Sequence, residues 1–461
     1  MKIIKKGTSS VEGIIGKNSF PQDASYRLSN FCFLHSKDDI YLAKLTLTSE
    51  VISLTKEEYS FLSEMKSVRL DDIEKAGLTE LVKKRYIVEE SYDEFVRYQD
   101  VLSITKVMQK KPRKGYAKYT ILPTTGCNAR CFYCFEQGMV AQTMSDETAD
   151  RLVDYICETN AYNGTDKEIH IDWFGGEPTA SRSIVTRICK GLSDRGVKFR
   201  SGIVTNGSLI TPEYVEKMKS VWNLKKVQLS IDGSRDDYNV RKAYVNPALH
   251  NYDTVLKAIG YLADADIRVV LRCNVDIENI DRIDDLILDL KRELTDKGRK
   301  TVRLYFAPLH QSMAGDGIEV LMRKINKAYD RMEELGAGEL ISFPISNTFK
   351  VNFCMADTMD TNVIIMPDGS FNNCENLPDN HCWGNIFDGV TDPELYDRLK
   401  RPTETDEECR HCTFLPECTS YRKTSCPVTI SHCARYEAIR NEYAMIRNYN
   451  SSDAEEGEDP C

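Results

Sequence analysis

The sequence predicts an α/β chain with a parallel, helix-covered sheet at its centre, and three observations predict it. Strand-like and helix-like segments alternate as six units between residues 119 and 340. Short Gly-, Asn- and Asp-bearing runs fall at the ends of successive strands. The cysteines are gathered rather than spread, with three inside the eight residues 127–134 and a second group after 354. Alternation on this scale makes a parallel sheet with helices on its faces. With the notable loops after the strands, it fits a barrel whose chemistry sits at the C-terminal rim.

Composition bounds the rest. The 461 residues exceed one ordinary domain, so two or three are expected. A hydrophobic share of 41% against 29% charged supplies a real core. A net charge of −10 argues against general nucleic-acid binding. The first residues hold no secretory apolar run, and no stretch reaches membrane-span length, so the expectation is a cytoplasmic protein with no membrane partner. Sixteen cysteines in that setting read as metal or cluster ligands rather than disulfides.

In chain order, residues 1–24 read as an irregular arm. Strands are predicted at 30–35, 40–45 and 50–54. Thr55 with Glu58 three residues on is a capping box opening a helix through Phe61 and Leu62. Two short helical pieces, near 71–74 and 78–82, and a strand at 85–88 follow. The run 106–118 carries Lys106, Lys110, Lys111, Arg113, Lys114 and Lys118 and reads as a basic linker. The barrel strands are predicted at 119–122, 169–174, 199–204, 227–231, 267–275 and 302–306. The helix at 183–194 buries Ile184, Val185, Ile188, Cys189 and Leu192, and another starts at Pro212. Cys157, Cys189 and Cys273 read as core residues. A closing helix spans 436–449, and 451–461 is an acidic, disordered tail.

Cys127, Cys131 and Cys134 are spaced C-x3-C-x2-C. A disulfide strands the third thiol, and tetrahedral zinc wants a fourth ligand or a water. A [4Fe–4S] cluster held by three thiolates keeps one iron open. This spacing, with Tyr133 before the third cysteine, resembles the signature of the radical SAM enzymes, whose open iron chelates S-adenosyl-L-methionine. Six units resemble that family's partial (β/α)6 TIM-like barrel. Gly175-Gly176-Glu177-Pro178 after the second strand resembles the family's GGEP motif, which meets the cofactor's methionine amino group. Asn206, in Thr205-Asn206-Gly207, and Ser230, in Ser230-Ile231-Asp232-Gly233, resemble family positions bordering its ribose and carboxylate. Arg241 and Arg272 are candidates for the carboxylate salt bridge. The resemblance implies reductive cleavage of the sulfonium and a 5′-deoxyadenosyl radical that removes hydrogen from an unactivated C–H.

Cys354-x14-Gly369-x4-Cys374, then Cys409-x2-Cys412-x5-Cys418, then Cys426 and Cys433, resembles the SPASM extension, which binds two auxiliary [4Fe–4S] clusters. Seven residues separate Cys418 from Cys426 where the family pattern has three. The resemblance implies an outer cluster on Cys409, Cys412, Cys418 and Cys433 and an inner one on Cys354, Cys374 and Cys426. Cys382 or a substrate cysteine would complete the inner set. Glu375 resembles an acidic position used as a base near the substrate. A zinc ribbon is the competing reading for the C-x2-C pair.

The strands and helices of residues 26–88 resemble the PqqD-like winged-helix domain that holds a leader peptide as an added strand; a DNA-binding wing is the alternative. The expected domains are therefore 1–105 winged helix, 106–118 linker, 119–340 radical SAM barrel, 341–450 SPASM and 451–461 tail. Their order resembles maturases of ribosomally made peptides. It implies a precursor peptide bound through its leader, an electron donor such as flavodoxin or ferredoxin, and cross-linking, preferably as a thioether. Carbon–carbon linkage, epimerisation and sulfatase maturation are the enzymatic alternatives, and an iron–sulfur redox sensor the non-enzymatic one.

Overall fold

A computed structural model describes residues 1–15, 20–109, 116–161, 167–309, 317–342, 349, 359, 361–374, 382–400, 407–418 and 433–456. The chain opens with β1 (Lys2–Lys5), α1 (Ser9–Ile15), β2 (Ser25–Leu28), β3 (Cys32–Lys37), β4 (Ile40–Leu45) and β5 (Glu50–Leu54). There follow α2 (Lys56–Glu64), β6 (Val68–Arg69), α3 (Leu70–Lys75), α4 (Thr79–Lys83), β7 (Ile87–Glu89) and α5 (Glu94–Gln109). The middle runs β8 (Lys118–Thr124), α6 (Asp146–Ala161), β9 (Ile169–Gly175), α7 (Arg182–Asp194), β10 (Phe199–Thr205), α8 (Pro212–Ser220) and β11 (Leu224–Ser230). It continues α9 (Arg235–Lys242), α10 (Tyr252–Asp264), β12 (Arg268–Val275), α11 (Asp284–Glu293), α12 (Asp296–Thr301), β13 (Val302–Pro308) and α13 (Gly317–Glu334). The last part holds β14 (Asn362–Ile365), β15 (Ser370–Asn372), β16 (Gly384–Asn385), β17 (Gly389–Val390), α14 (Pro393–Lys400), α15 (Glu407–Arg410) and α16 (Cys433–Glu456).

These elements form two compact units. One comprises residues 112–344 and 354–402. Its sheet runs β13-β12-β11-β10-β9-β8-β14-β15-β16-β17. Strands β8 to β13 lie in sequence order and every adjacent pair is parallel. Each crossover thus steps one strand in the same direction. That is barrel winding; a doubly wound sheet reverses its order partway. Among the described residues the sheet does not close on itself, with β13 and β17 as its end strands. Trp173, Val227, Leu229 and Leu271 are fully buried in it, and α7 buries the five residues its periodicity predicts.

The other unit joins residues 1–111 to 345–353 and 403–461. Its larger sheet is antiparallel in the order β1-β5-β4-β3, and its smaller one is β6-β2-β7. The capping box forms: Glu58 N donates to Thr55 Oγ1 at 3.2 Å and Thr55 N to Glu58 Oε2 at 2.8 Å. One apolar cluster takes in Tyr26, Phe31, Ile52, Leu81 and Tyr86 together with Phe349 and Leu415, which arrive from far along the chain.

Several elements differ from expectation. The arm 1–24 contains β1 and α1; Lys2-Ile3-Ile4-Lys5 becomes regular because the edge of β5 offers a hydrogen-bond ladder. Helix α5 occupies 94–109, ahead of linker residues 110–115, which lie outside the described residues. Residues 341–450, expected as one domain, are shared between the two units. Helix α16 runs on to Glu456 into the expected tail, through the helix-favouring Ala454-Glu455-Glu456; 457–461 lie outside the described residues. Cys157 is half-buried, whereas Cys189 and Cys273 are in the core as expected.

At the starts of β8 and β9, Asp172 accepts from His170 at 2.8 Å and pairs with Lys118 at 2.6 Å. Burial raises its pKa, but His170 and Lys118 outweigh burial and hold it down to about 2 against the usual 3.8. The stabilisation is therefore present above the unfolded value and lost as pH falls through the folded one. Asp172→Asn should lower stability at pH 6 and flatten the loss between roughly pH 4 and pH 2, measured by urea unfolding; an unchanged acid limb contradicts this.

Candidate active site

The cysteine loop leaves β8 without regular structure of its own, so other elements must hold it. Thr125 N donates to Gln142 O at 2.9 Å, Arg130 N to Lys242 O at 2.9 Å, and Val245 N to Asn128 O at 2.9 Å. Cys127, Cys131 and Cys134 are all half-buried. They sit between two clamps, one from the end of β9 and one from the end of α9.

The first clamp is the turn Gly175–Glu177. Gly176 N donates to Thr124 O at 3.1 Å and Glu177 N to Gly126 O at 2.9 Å. Backbone lies on backbone here. A Cβ on Gly176 would stand 2.4 Å from Gly126 O, and Gly175 takes φ +106° with its Cβ direction blocked by Thr124 O at 2.3 Å. Only glycine meets both demands. The Glu177 side chain is fully buried. Its Oε1 accepts from Thr179 N at 3.0 Å, from the Thr179 hydroxyl and from Thr205 Oγ1 at 2.7 Å; its Oε2 accepts from Asn206 N at 2.7 Å. The carboxylate is thus spent on joining β9 to β10. Asn206 passes the constraint on: its Nδ2 donates to Asn128 Oδ1 at 2.9 Å and lies 3.9 Å from Cys127 Sγ.

The second clamp is Lys242. Its Nζ donates to Ser230 Oγ at 2.7 Å and to Tyr133 OH at 2.9 Å, and stands 3.2 Å from Asp232 Oδ2. Tyr133 OH donates to the same Asp232 carboxylate, and Asn274 Nδ2 donates to its other oxygen at 2.9 Å. Burial opposes the charge on Lys242, but Asp232, then Tyr133 and Cys131, outweigh it and hold its pKa well above the ordinary value. Burial pushes the Tyr133 hydroxyl up as well, so it stays a donor. Helix α9 ends in the left-handed Ala243 (φ +43°), which turns the Lys242 carbonyl toward Arg130 N and, at 3.9 Å, Cys131 Sγ.

Of the residues singled out in the sequence, Cys127, Cys131, Gly176, Glu177, Asn206 and Ser230 are reached by these bonds, and Gly175 and Cys134 lie within the segments they join. Pro178 opens the short turn beyond Glu177. Arg241 reaches Asp276 at 2.7 and 2.8 Å through Nη2 and lies 5.6 Å over the Phe132 ring; its Nη1 is buried without a hydrogen bond. Arg272 Nε donates to Asn274 Oδ1 at 2.9 Å. Cys374 follows β15 half-buried, and Cys382 is exposed with its thiol toward Gly384 O at 3.3 Å. Cys409, Cys412 and Cys418 belong to the other unit. Cys354, Glu375 and Cys426 lie outside the described residues, as does the side chain of Cys433. Lys242 is hidden from a reading of the sequence because α9, Arg-Asp-Asp-Tyr-Asn-Val-Arg-Lys, is mostly polar and an Arg-Lys pair at its end has the pattern of a solvent-facing turn. Asp232 sits in the strand-end run Ser230-Ile231-Asp232-Gly233, where a carboxylate has the pattern of an ordinary turn residue.

Burial lifts Cys127 to about 11; the Ala129 amide relieves this and Glu177, Cys131 and Cys134 add to it. Burial also raises Cys134, and lifts Glu136 to about 7. Burial disfavours charge on Cys127 and Cys134, so thiolates at these two positions call for a cationic guest. Among the described residues no group of three His, Cys, Asp or Glu is gathered closely enough to hold a single metal ion. Three thiols on one loop are the donor set of a site-differentiated iron–sulfur cluster, and the residues fit it on that chemistry.

Residues 121–290 match the family described as Radical SAM superfamily. These residues are a radical SAM domain. The domain's relatives include the radical SAM cyclopropyl synthase TigE of Paramaledivibacter caminithermalis, 22% identical over 54% of this chain and 52% of that protein. The AdoMet-dependent heme synthase of Methanosarcina barkeri is 29% identical over 35% of this chain and 43% of that protein. The match thus spans about half the length of these curated relatives or less. Among solved structures, anSMEcpe with bound AdoMet and Cp18Cys peptide is similar at TM-score 0.55 and 17% identity, over 73% of this chain and 99% of that one. Streptococcus suis SuiB bound to precursor peptide SuiA is similar at TM-score 0.51 and 16% identity, over 89% and 99%. These likenesses support the fold of the radical SAM domain. No helix among the described residues is long and apolar enough to cross a membrane.

Lys242→Met leaves Asp232 buried without its cation and should destabilise the radical SAM domain by about 3–5 kcal/mol in denaturant unfolding; a loss under about 1 kcal/mol contradicts the clamp. Glu177→Gln sets an amide N–H against the Asn206 N–H. It should cost on the order of 1–3 kcal/mol and lower iron retained after anaerobic reconstitution, whereas wild-type iron content refutes the role.

Proposed function

We propose that the chain is a radical SAM maturase that abstracts a hydrogen from a ribosomally made precursor peptide to install a cross-link, preferably a thioether. The observation that carries the reading is the cysteine loop held from two strand ends: Glu177 binds Asn206 N, whose Nδ2 lies 3.9 Å from Cys127 Sγ, and Lys242, which bonds Ser230, reaches Tyr133 within the loop. Cys127, Cys131 and Cys134 would hold a [4Fe–4S] cluster, and Gly175–Pro178, Asn206, Ser230 and Arg241 would border S-adenosyl-L-methionine. When bound, that pair supplies a 5′-deoxyadenosyl radical able to break an unactivated C–H bond.

The chain's own residues do the rest. Asn206 and Lys242 carry no exchangeable role in this scheme; they hold the loop so that the reacting carbon can be met at fixed distance. Phe132 and Phe135 are about half exposed beside the thiols, and Phe135 stacks on Phe174 at 6.3 Å. They give the rim an apolar face suited to peptide side chains. The N-terminal sheets offer strand edges on which a leader could add. Two auxiliary clusters, on Cys409, Cys412, Cys418 and Cys433 and on Cys354, Cys374 and Cys426, belong to the same reading, with Glu375 as base and Cys382 or a substrate thiol completing the inner set. TigE, a cyclopropyl synthase, supports an enzyme over a sensor, and the complex of SuiB with a precursor peptide supports a peptide as the substrate class.

Reduced, anaerobically reconstituted protein should convert S-adenosyl-L-methionine to 5′-deoxyadenosine, and Cys131→Ala should abolish it. With a short Cys-bearing peptide encoded beside its gene, the product should lose two hydrogens and one alkylatable thiol. Loss of two hydrogens with every thiol retained points to carbon–carbon linkage; no 5′-deoxyadenosine from iron-loaded protein overturns the proposal.

A further inference from the structure

Lys44 lies near the end of β4, and its side chain is wholly buried. Its Nζ donates to Glu417 Oε2 at 2.6 Å and to Asn441 Oδ1 at 2.6 Å. Glu417 is itself buried, and its second oxygen accepts from Ser49 Oγ at 2.5 Å. Asn441 is held in turn through its Nδ2 on Glu437 O at 2.9 Å. The two partners come from separate stretches of chain. Glu417 directly precedes Cys418 and ends the segment that carries Cys409 and Cys412. Asn441 stands on α16, which Cys433 begins.

Neighbouring contacts repeat the pattern. Thr46, just past the end of β4, donates to Thr413 O at 2.5 Å. Phe33 on β3 meets Phe414 edge-on at 5.0 Å. Leu415 is buried in the N-terminal apolar cluster, and Cys409 and Cys412 pack against it. The cysteine segment is therefore built onto the N-terminal sheet, and one ammonium joins both stretches.

We propose that Lys44 is a positioning residue for a four-thiolate iron–sulfur cluster, tying the Cys409–Cys418 segment to the helix that begins at Cys433. This rests on the reading of those cysteines as the outer auxiliary cluster set. The physical ground is the cost of an unpaired buried charge. With either stretch out of place, Lys44 is left buried and short of a hydrogen-bond partner, with Arg440 also close enough to oppose its charge. The ammonium thus penalises every arrangement except the one that brings the two cysteine-bearing stretches together. Among the described residues its hydrogen bonds go to Glu417 and Asn441 and none to a thiol, so it would act through those two.

The test uses the full chain. Iron and sulfide are counted after anaerobic reconstitution, and the clusters are separated by EPR. Lys44→Met should lose about four irons per chain, the content of one [4Fe–4S] cluster, while the signal perturbed by S-adenosyl-L-methionine persists. Lys44→Met with Glu417→Met removes both buried charges and should regain most of that iron. In metal-free protein, Lys44→Met should raise iodoacetamide labelling of Cys409, Cys412 and Cys418 by about tenfold and leave Cys127, Cys131 and Cys134 unchanged, a difference equal to about 1.4 kcal/mol of local protection. Wild-type iron content in Lys44→Met overturns the proposal, as does loss of every cluster together or labelling that rises equally at both cysteine sets. Wild-type protein with iron for the barrel cluster alone overturns the auxiliary-cluster reading instead, which is a distinguishable outcome.

Discussion

A buried ammonium and a buried carboxylate do for the cysteine loop what hydrogen-bond ladders do for strands. The loop between β8 and α6 must present three thiols from a stretch too short and too irregular to order itself. Lys242 reaches it from α9, meeting Tyr133 by its hydroxyl and turning its own carbonyl to Arg130 N. Glu177 reaches it from β9 by way of Asn206. Each charge is acceptable in the interior only because every hydrogen-bonding position around it is answered. Loop, motif turn and helix end are consequently one structure, and none can move without leaving a charge unpaired.

The C-terminal rim of the parallel strands is where such a device can be built. Strands β8, β9, β10 and β11 end side by side, so residues distant in sequence arrive within hydrogen-bond reach: Thr124, Gly175, Thr205 and Ser230 are the last residues of four successive strands. The glycines of the second strand end let its backbone lie against the cysteine loop's carbonyls. The same sheet continues past β8 into β14, which pairs parallel with it, so the chain that bears Gly369 and Cys374 is an extension of the barrel unit.

Much of this was legible beforehand, for identifiable reasons. Helix α7 announces itself through an apolar period with one buried face, and the six strands through short apolar runs bounded by turn residues, since strands such as β8 and β12 are buried on both faces. The cysteine trio and the Gly-Gly-Glu-Pro run are local in sequence, so spacing alone reveals them. Lys242 and Lys44 were not legible: each is a lysine in a polar context, and the default for lysine is solvent. Their burial is decided by partners far away, Asp232 and Tyr133 for one and Glu417 and Asn441 for the other. Strand β1 was hidden for the related reason that its order comes from pairing with β5 across roughly fifty residues, not from its own four. The division of the cysteine-rich region between two units follows from contacts of Phe349, Phe414 and Leu415 that no linear pattern encodes.

The central claim is that the pinned thiol trio carries a cluster with one iron open to a small-molecule ligand. EPR of the dithionite-reduced protein, recorded with and without S-adenosyl-L-methionine, addresses it most directly. The account predicts a [4Fe–4S] signal that shifts when the cofactor is added and that vanishes in Cys131→Ala. A spectrum indifferent to the cofactor, or one that survives loss of Cys131 intact, contradicts it.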